Sequence, residues 1–229
     1  PDPHEAWQLG EAELAAVKGF TPAVARAAVA ARRNADIRRE AERDLERAQR
    51  VGLRVLSFGT PGYPERLRQI PEPPPVLYQY GPWVPNVKPE RPVVAIVGTR
   101  RPTGYGLAVA EQLGRELAQL GAVVISGMAR GIDTAAHRGA LGVGGTSVAV
   151  LGGGADVCYP RESVAIYRQM KETGAIFSEQ PPGSQPRPEH FPERNRIISG
   201  LSHAVILVEA GERAGTLITA QHAIEQCRE

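Results

Sequence analysis

The stretch Val93-Val94-Ala95-Ile96-Val97-Gly98-Thr99-Arg100, followed by Thr103-Gly104-Tyr105-Gly106, combines an apolar strand, a glycine turn and a helix start. Its first half is rich in β-branched residues, which favours a buried strand. A helical pattern follows from 107 to 120. Unpaired amides and the dipole at such a helix start favour an anion, and Arg100 adds a positive charge. The stretch therefore predicts a strand-turn-helix unit that binds a phosphate.

Two common nucleotide-binding fingerprints are absent from this turn. Neither the dinucleotide pattern G-x-G-x-x-G nor the pattern G-x-x-x-x-G-K-[ST] of ATP- and GTP-binding loops occurs there. We therefore do not expect the phosphate to belong to NAD or ATP, and no cofactor is predicted.

Apolar runs and helical patterns alternate from residue 93 onward. The apolar runs are 93–98, 122–126, 147–151, 175–178 and 204–209. The helical patterns are 107–120, 133–141, 163–173 and 215–228. This alternation predicts an α/β fold with a mostly parallel sheet and helices on both faces. Ligands of such sheets bind beyond the carboxyl ends of the strands.

The chain is predicted to have three parts: a small helical domain at 1–60, a connector at 61–92 and the α/β domain at 93–229. Thr21-Pro22 predicts a helix N-cap with proline at the first helical position. The segment 17–21 is similar to the glycine turn of a helix-hairpin-helix pair, which binds DNA backbone in some proteins and is only structural in most. Proline-rich sequence marks the connector.

Composition sets outer limits on function. The 229 residues carry a formal charge of +2, and all but three of the basic side chains are arginine. Arginine binds phosphate in a planar, bidentate way, although genome composition or stability explains such a bias equally well.

The two cysteines and the chain ends carry further expectations. Cys158 and Cys227 are isolated, so we expect neither a disulfide nor a metal site, and a cytoplasmic location fits best. No membrane span or signal peptide is predicted. The sequence begins without methionine and ends inside a helical pattern, so we expect it to be trimmed at both ends.

Glycine, hydroxyl or charged residues follow each predicted strand. These exits include Gly98-Thr99-Arg100, 126–133, Gly152-Gly153-Gly154, Ser178-Glu179 and Glu209-Ala210-Gly211. Glycine lets a backbone approach a ligand closely, and a hydroxyl donates to phosphate oxygens. Each exit taken alone is explained equally well by a tight turn, but their convergence on one edge favours a binding rim.

Two other groups of residues have both functional and structural interpretations. Asp133 and His137 are spaced for an acid-base pair, but helix capping by Asp133 is a sufficient explanation. The polar loop 180–192 and Arg194-Asn195-Arg196 place arginines beside Phe191, a combination typical of single-strand binding. The alternative is a surface loop whose ring packs on the core and whose arginines pair with carboxylates.

Several motifs together resemble the DNA-processing protein A family, also called DprA or Smf, over about residues 60 to 229. The motifs that carry the resemblance are Val97-Gly98-Thr99-Arg100, Tyr105-Gly106, Ser126-Gly127-x-Ala129-x-Gly131-Ile132-Asp133-x-x-Ala136-His137, Tyr159-Pro160, Ser178-Glu179 and Phe191-Pro192-x-Arg194-Asn195-Arg196-Ile197-Ile198-Ser199-Gly200-Leu201. No general physical rule produces the last motif, which makes it the most specific.

This resemblance implies an extended Rossmann-like fold that binds single-stranded DNA, forms a homodimer and loads the RecA recombinase onto DNA during natural transformation. It implies no catalytic activity. Double-stranded DNA is kept as a further candidate ligand, and the helical first domain is similar only loosely to the family's sterile-alpha-motif-like extension. The predicted DNA-binding residues are Gly98, Thr99, Arg100, Ser126, Gly127, Arg161, Arg187, Phe191, Arg194, Asn195 and Arg196.

Two other functions were weighed against DNA binding. Nucleotide phosphoribohydrolases of the lysine-decarboxylase-like group have a related core and the signature P-G-G-x-G-T-x-x-E. Here Gly215-Thr216 matches that signature, but Thr219 stands where the glutamate is required. The phosphate site alone is also compatible with a nucleotide-sensing module.

Overall fold

The computed structural model describes residues 3–85, 91–211 and 215–229. These residues divide into two compact units, 1–50 and 51–229. The predicted boundary at residue 60 lies about ten residues too late, because the segment from residue 51 already belongs to the second unit.

The first unit is helical. Its helices are α1 (Pro3–Gln8), α2 (Glu11–Ala15), α3 (Pro22–Arg33) and α4 (Ala35–Val51), the last of which ends at the first residue of the second unit. Thr21 caps α3 by accepting the Val24 amide at 3.3 Å, as the sequence predicts. Gly19 adopts a φ of 95° between α2 and α3, which explains the glycine at this turn. The similarity to a helix-hairpin-helix pair stays a prediction.

Within the described part of the second unit, seven strands form one mixed sheet. They are β1 (Arg54–Ser57), β2 (Val76–Tyr80), β3 (Val93–Val97), β4 (Val123–Ser126), β5 (Ser147–Leu151), β6 (Ala175–Ser178) and β7 (Ala204–Leu207). Their order is β1-β2-β6-β5-β4-β3-β7. The strands from β3 to β7 pair in parallel, which confirms the predicted Rossmann-like sheet.

The predicted connector is largely part of this sheet. Strand β2 pairs antiparallel with β6, and β1 pairs antiparallel with β2. Strand β2 was not predicted, because the proline-rich sequence on its amino-terminal side is typical of a linker. The short run 76–80 is nevertheless buried almost throughout. Pairing with β6, far along the chain, is what makes this run a strand.

Helices cover both faces of the sheet. They are α5 (Glu65–Arg68), α6 (Gly104–Gln119), α7 (Ile132–Gly142), α8 (Val164–Thr173), α9 (His190–Leu201) and α10 (Thr216–Glu225). One core contains α6 and α7 with Ile96 and Val124, and the other contains α5 and α9 with Ala95 and Ile125. Neighbouring residues of one strand thus point into different cores, as strand geometry requires.

Helix α9 was not predicted from the sequence. Its amino-terminal part carries Pro192 and charged side chains, and Arg194 occupies a position where an amphipathic helix would bury an apolar residue. The apolar residues Ile197, Ile198 and Leu201 pack against the sheet and hold the helix in place. Tertiary burial therefore decides this helix.

Two glycines allow α6 and α7 to approach closely. A Cβ atom on Gly114 would lie 2.3 Å from the carbonyl oxygen of Ala136, and one on Gly139 would lie 2.0 Å from that of Glu111. Each glycine therefore faces the backbone of the opposite helix. Since α6 follows β3 and α7 follows β4, this contact fixes the relative positions of two strand exits.

We expect Gly114→Ala to lower the free energy of unfolding by roughly 2 kcal/mol, because overpacking against a backbone exceeds the gain of about 1 kcal/mol in helix propensity. Chemical denaturation measures this difference. Gly142→Ala is the matched control, since no atom lies within 4 Å of a Cβ there, and we expect it to be neutral or stabilising. Equal effects of the two substitutions would contradict the close packing.

Candidate functional site

The chain crosses from one side of the sheet to the other between β6 and β7, so β3 lies at the switch point of the strand order. Loops diverge at such a point and leave a crevice at the carboxyl edge. A cleft of about 420 Å³ lies there, and we call it the switch-point cleft. Its walls come from the β3 exit, from α9 and from the start of α10, and include Gly98, Thr99, Asn195, Thr216 and Thr219.

A second cleft of about 290 Å³ adjoins it. We call it the glycine cleft, because Gly127, Gly152 and Gly153 form part of its wall. Its other walls are mostly apolar and include Leu151, Val157, Tyr159, Pro160 and Pro186. The two clefts share Arg100, Arg101, Ala129 and Phe191 and together form one groove.

A cation-π contact stands where the two clefts meet. The guanidinium carbon of Arg100 lies 4.7 Å from the centre of the Phe191 ring. The centre of the Tyr159 ring lies 6.2 Å from the centre of the Phe191 ring, and the two ring planes are tilted relative to each other. Both Arg100 and Tyr159 are exposed, whereas Phe191 is half-buried. The structure thus brings together Arg100 and Phe191, which the sequence analysis selected from separate motifs.

Three exposed arginines line the groove, namely Arg100, Arg101 and Arg130, and two more, Arg161 and Arg187, are next to lining residues in the sequence. Arg161 directly follows the glycine-cleft residue Pro160, and Arg187 directly follows Pro186. Arg130 pairs with Glu162, while none of the other four forms an ion pair with another described residue. The groove is therefore bordered by positive charge available to an anionic ligand.

The predicted phosphate site at the start of α6 is occupied by the protein's own carboxylate. Glu209 accepts the Thr103 amide at 3.1 and 3.2 Å and the Thr103 hydroxyl at 3.0 Å. A Cβ atom on Gly106 would lie 2.1 Å from a Glu209 oxygen, so the carboxylate rests on the first turn of the helix. The negative charge at this helix start is therefore supplied by Glu209, whereas the sequence analysis expected a phosphate there.

Ser126 and Gly127 are not positioned as the sequence analysis expected. The Ser126 hydroxyl is fully buried and donates to the Ile96 carbonyl at 2.6 Å. The Gly127 amide donates to the Asp133 carboxylate at 3.2 Å. Neither group is free to hold a phosphate, because both satisfy polar atoms inside the protein.

Arg194 is buried beneath the groove and is not a surface contact. Only 6% of its surface is exposed, and its guanidinium donates to the Val150 carbonyl and packs on Gly127, where a Cβ atom would lie 1.9 Å from a guanidinium nitrogen. Burial lowers the pKa of Arg194 to about 10, and the negative charge of Asp133 opposes this shift. Arg194 therefore shapes the floor of the groove.

Arg196 is also held internally, which corrects its assignment to DNA. Its guanidinium makes two hydrogen bonds of 2.8 and 2.9 Å with Glu179 and donates to the Glu72 and Glu193 carbonyls. Its side chain is 12% exposed. Asn195, by contrast, lines the switch-point cleft and donates to the Gly215 carbonyl at 3.4 Å.

The groove residues absent from the predicted set include Arg101, Arg130 and Tyr159. Glu209, which accepts from Thr103, was also absent from that set. Each lies at or shortly after the end of a strand, and Arg101 directly follows Arg100, which was predicted. Their position after a strand was the available signal. Which of several adjacent charges faces the groove depends on loop conformation, which the pattern of residue types does not encode.

Asp133 and His137 are buried and make hydrogen bonds inside the protein. Asp133 accepts the amides of Gly127 and Ala129, so its carboxylate holds the preceding loop, and Gly131 stands at the N-cap position expected for Asp133. His137 Nδ1 lies 2.8 Å from the Ser147 hydroxyl. Burial raises the pKa of Asp133 and, together with the charge of Arg194, lowers that of His137 to about 3.

No group of three or more potential ligands among the described residues is placed to hold a metal ion. No described helix has the length and apolar character needed to cross a membrane.

The chain is similar in sequence to a known protein family. A family model described as DNA recombination-mediator protein A matches residues 54–229. Protein Smf of Synechocystis is 39% identical over 96% of this chain and 54% of its own length. DNA processing protein DprA of Bacillus subtilis is 40% identical over 78% of this chain and 59% of its own length. The chain thus spans somewhat more than half of these curated relatives.

Two solved structures have the same fold. DNA processing protein A from Streptococcus pneumoniae superposes with a TM-score of 0.77 at 33% identity, covering 97% of this chain and 74% of that one. The protein from Helicobacter pylori superposes with a TM-score of 0.68 at 30% identity, covering 76% and 78%. The latter work concerns the single-stranded DNA binding mode of the Helicobacter protein.

We expect His137 to make stability depend on pH. The unfolded chain binds a proton at this residue below about pH 6.5, whereas the folded chain does so only near pH 3. The free energy of unfolding should therefore fall as pH drops below 6.5, by up to about 1.4 kcal/mol per pH unit from this residue. Denaturation of wild type and His137→Asn across pH 4.5 to 7.5 measures it.

The buried carboxyl of Asp133 has an opposite pH dependence, but it is present in both proteins and cancels in their difference. Asparagine places an amide near the position of Nδ1 and does not titrate. The stability advantage of the wild type should shrink as pH falls. Parallel curves would show that His137 is protonated in the folded state as readily as in the unfolded chain.

Proposed function

Since the chain belongs to the DNA recombination-mediator protein A family, we propose that residues 51–229 bind single-stranded DNA along the groove formed by the two clefts. Exposed arginines hold backbone phosphates, and Phe191 with the glycine cleft receives bases. The Helicobacter relative, whose structure concerns binding of single-stranded DNA, supports this choice of ligand.

The observation that carries the proposal is the contact of Arg100 with Phe191 at the junction of the two clefts. A charged group that binds phosphate stands there on an aromatic ring that can stack on a base. Proteins that bind single strands combine these two elements in one groove. Because Phe191 already supports Arg100 on one face, the arginine is held in place before DNA arrives.

The glycine cleft suits one base rather than a duplex. Its walls are mostly apolar, its volume is about 290 Å³, and Arg100, Arg101 and Arg130 border it. A Cβ atom on Gly152 would lie 3.1 Å from the Phe191 ring, and one on Gly153 would lie 2.9 Å from the Ser184 carbonyl oxygen, so both backbones lie close to these neighbours. A paired base does not reach such a cleft without leaving its stack, so the geometry favours single-stranded DNA.

The finer features of the family are included in the proposal. They are RecA loading during natural transformation, formation of a homodimer, binding of double-stranded DNA as a further ligand, a cytoplasmic location and the absence of catalytic activity. In support of the last point, Thr219 lies in the wall of the switch-point cleft at the position where the related phosphoribohydrolases carry glutamate.

Arg100→Ala should weaken binding of a dT oligonucleotide about ten- to a hundred-fold at low salt, because it removes a charged phosphate contact. It should also reduce the slope of log affinity against log salt by about 0.7, the value for one neutralised phosphate on a single strand. Fluorescence anisotropy across a salt series measures both quantities.

Arg115→Ala is the matched control for Arg100→Ala. Arg115 is an exposed arginine on α6 that pairs with Glu111 and lines neither cleft. The Arg115→Ala substitution removes the same charge from the protein as Arg100→Ala but leaves the groove unchanged. Equal losses from the two substitutions would mean that net charge, and not the groove, determines binding.

Phe191→Leu tests the contact with bases. We expect it to weaken binding of a dT oligonucleotide by about 1–3 kcal/mol, the contribution of base stacking on an aromatic side chain. Binding of an oligonucleotide with abasic sites should change much less. A similar loss with both ligands would show that Phe191 acts only by supporting Arg100.

A further inference from the structure

We infer that Glu209 is a positioning residue that holds Arg100 and Arg101 in the groove. This inference rests on the proposed function, since the position of these arginines matters only if they bind DNA. Glu209 is negatively charged and near a groove for an anion, so its charge alone would oppose DNA binding. Its contacts assign it a different role.

Glu209 accepts hydrogen bonds at two points of the turn 99–103, which carries Arg100 and Arg101. Its main-chain carbonyl accepts the amide of Thr99 at 2.7 Å, immediately before Arg100. Its carboxylate accepts the amide and hydroxyl of Thr103, two residues after Arg101. The turn 99–103 is therefore held at both ends by one residue.

The other side of the turn is fixed by the start of α7. The Ile132 amide donates to the Thr99 carbonyl at 3.3 Å. Gly131, with a φ of 85°, lies so close that a Cβ atom would be 2.4 Å from the same oxygen. Glu209 and the α7 start thus hold the turn between them, while the side chains of Arg100 and Arg101 are exposed.

The Glu209 carboxylate also completes the cap of α6. The Thr103 hydroxyl accepts the Gly106 amide at 3.0 Å and donates to Glu209, so the carboxylate orients the capping hydroxyl. A negative charge at this helix start is favourable. Because the helix start already has an anion, a DNA phosphate is directed to the arginines instead.

Two roles for Glu209 predict opposite results on removal. If it acts through charge alone, Glu209→Ala raises DNA affinity, because a repulsive charge is lost. If it positions the turn, the same substitution lowers affinity, because the carboxylate no longer holds the Thr103 end of the turn that carries Arg100 and Arg101. Glu209→Gln keeps an oxygen acceptor for the Thr103 amide without the charge, and the positioning role predicts substantial recovery of affinity.

The experiment measures dT-oligonucleotide affinity over a salt series for wild type, Glu209→Ala, Glu209→Gln, Arg100→Ala and the double variant Glu209→Ala/Arg100→Ala. We expect about a ten-fold loss for Glu209→Ala and a shallower salt slope. The loss for the double variant should be smaller than the sum of the two single losses, because both substitutions affect the Arg100 contact while only Glu209→Ala also affects Arg101. Glu111→Ala on α6 is the control for loss of one carboxylate.

A DNA-free measurement keeps the inference independent of overall stability. Hydrogen exchange should increase in segment 99–106 of Glu209→Ala while the sheet strands remain protected. Higher affinity of Glu209→Ala, or a loss that adds fully to that of Arg100→Ala, would overturn the positioning role. Failure of the proposed function looks different: wild type and Arg100→Ala would then bind single-stranded DNA equally weakly.

Discussion

The buried guanidinium of Arg194 is the constraint around which the groove is organised. Removing this charge from water is costly, and the cost is tolerable only where hydrogen bonds and an opposite charge compensate. The Val150 carbonyl accepts from it, and Asp133 supplies the opposite charge. Gly127 leaves the space that it occupies. One side chain of α9 thereby ties together the exits of β4 and β5.

This arrangement divides the polar groups at the carboxyl edge into two classes. Ser126, Asp133 and Arg196 satisfy partners inside the protein and shape the edge without being available to a ligand. Arg130 pairs with Glu162, whereas Arg100, Arg101, Arg161 and Arg187 form no ion pair with another described residue. Because Ser126, Asp133 and Arg196 satisfy the polar partners inside the protein, the charges of the exposed arginines remain at the surface. The result is a groove bordered by positive charge.

Much of the fold follows from sequence patterns, and the site follows only in part. The apolar runs correctly predicted the strands β3 to β7, because a buried parallel strand consists of consecutive apolar residues. Strand β2 and helix α9 were missed because their burial depends on partners distant in the chain. At the site, the motifs indicated the carboxyl edge of the sheet, where the two clefts lie. They did not distinguish exposed Arg100 from buried Arg194, because residue type is the same in both.

The sequence by itself determined the alternation of strands and helices, the glycine turns and the positive charge of the exits, all of which depend on residues near one another in the chain. The tertiary structure alone decided which charges remain free. The carboxylate at the start of α6 comes from Glu209, 106 residues beyond its partner Thr103. Such a pairing has no local pattern, since it exists only when β7 lies beside β3 and brings the two residues together.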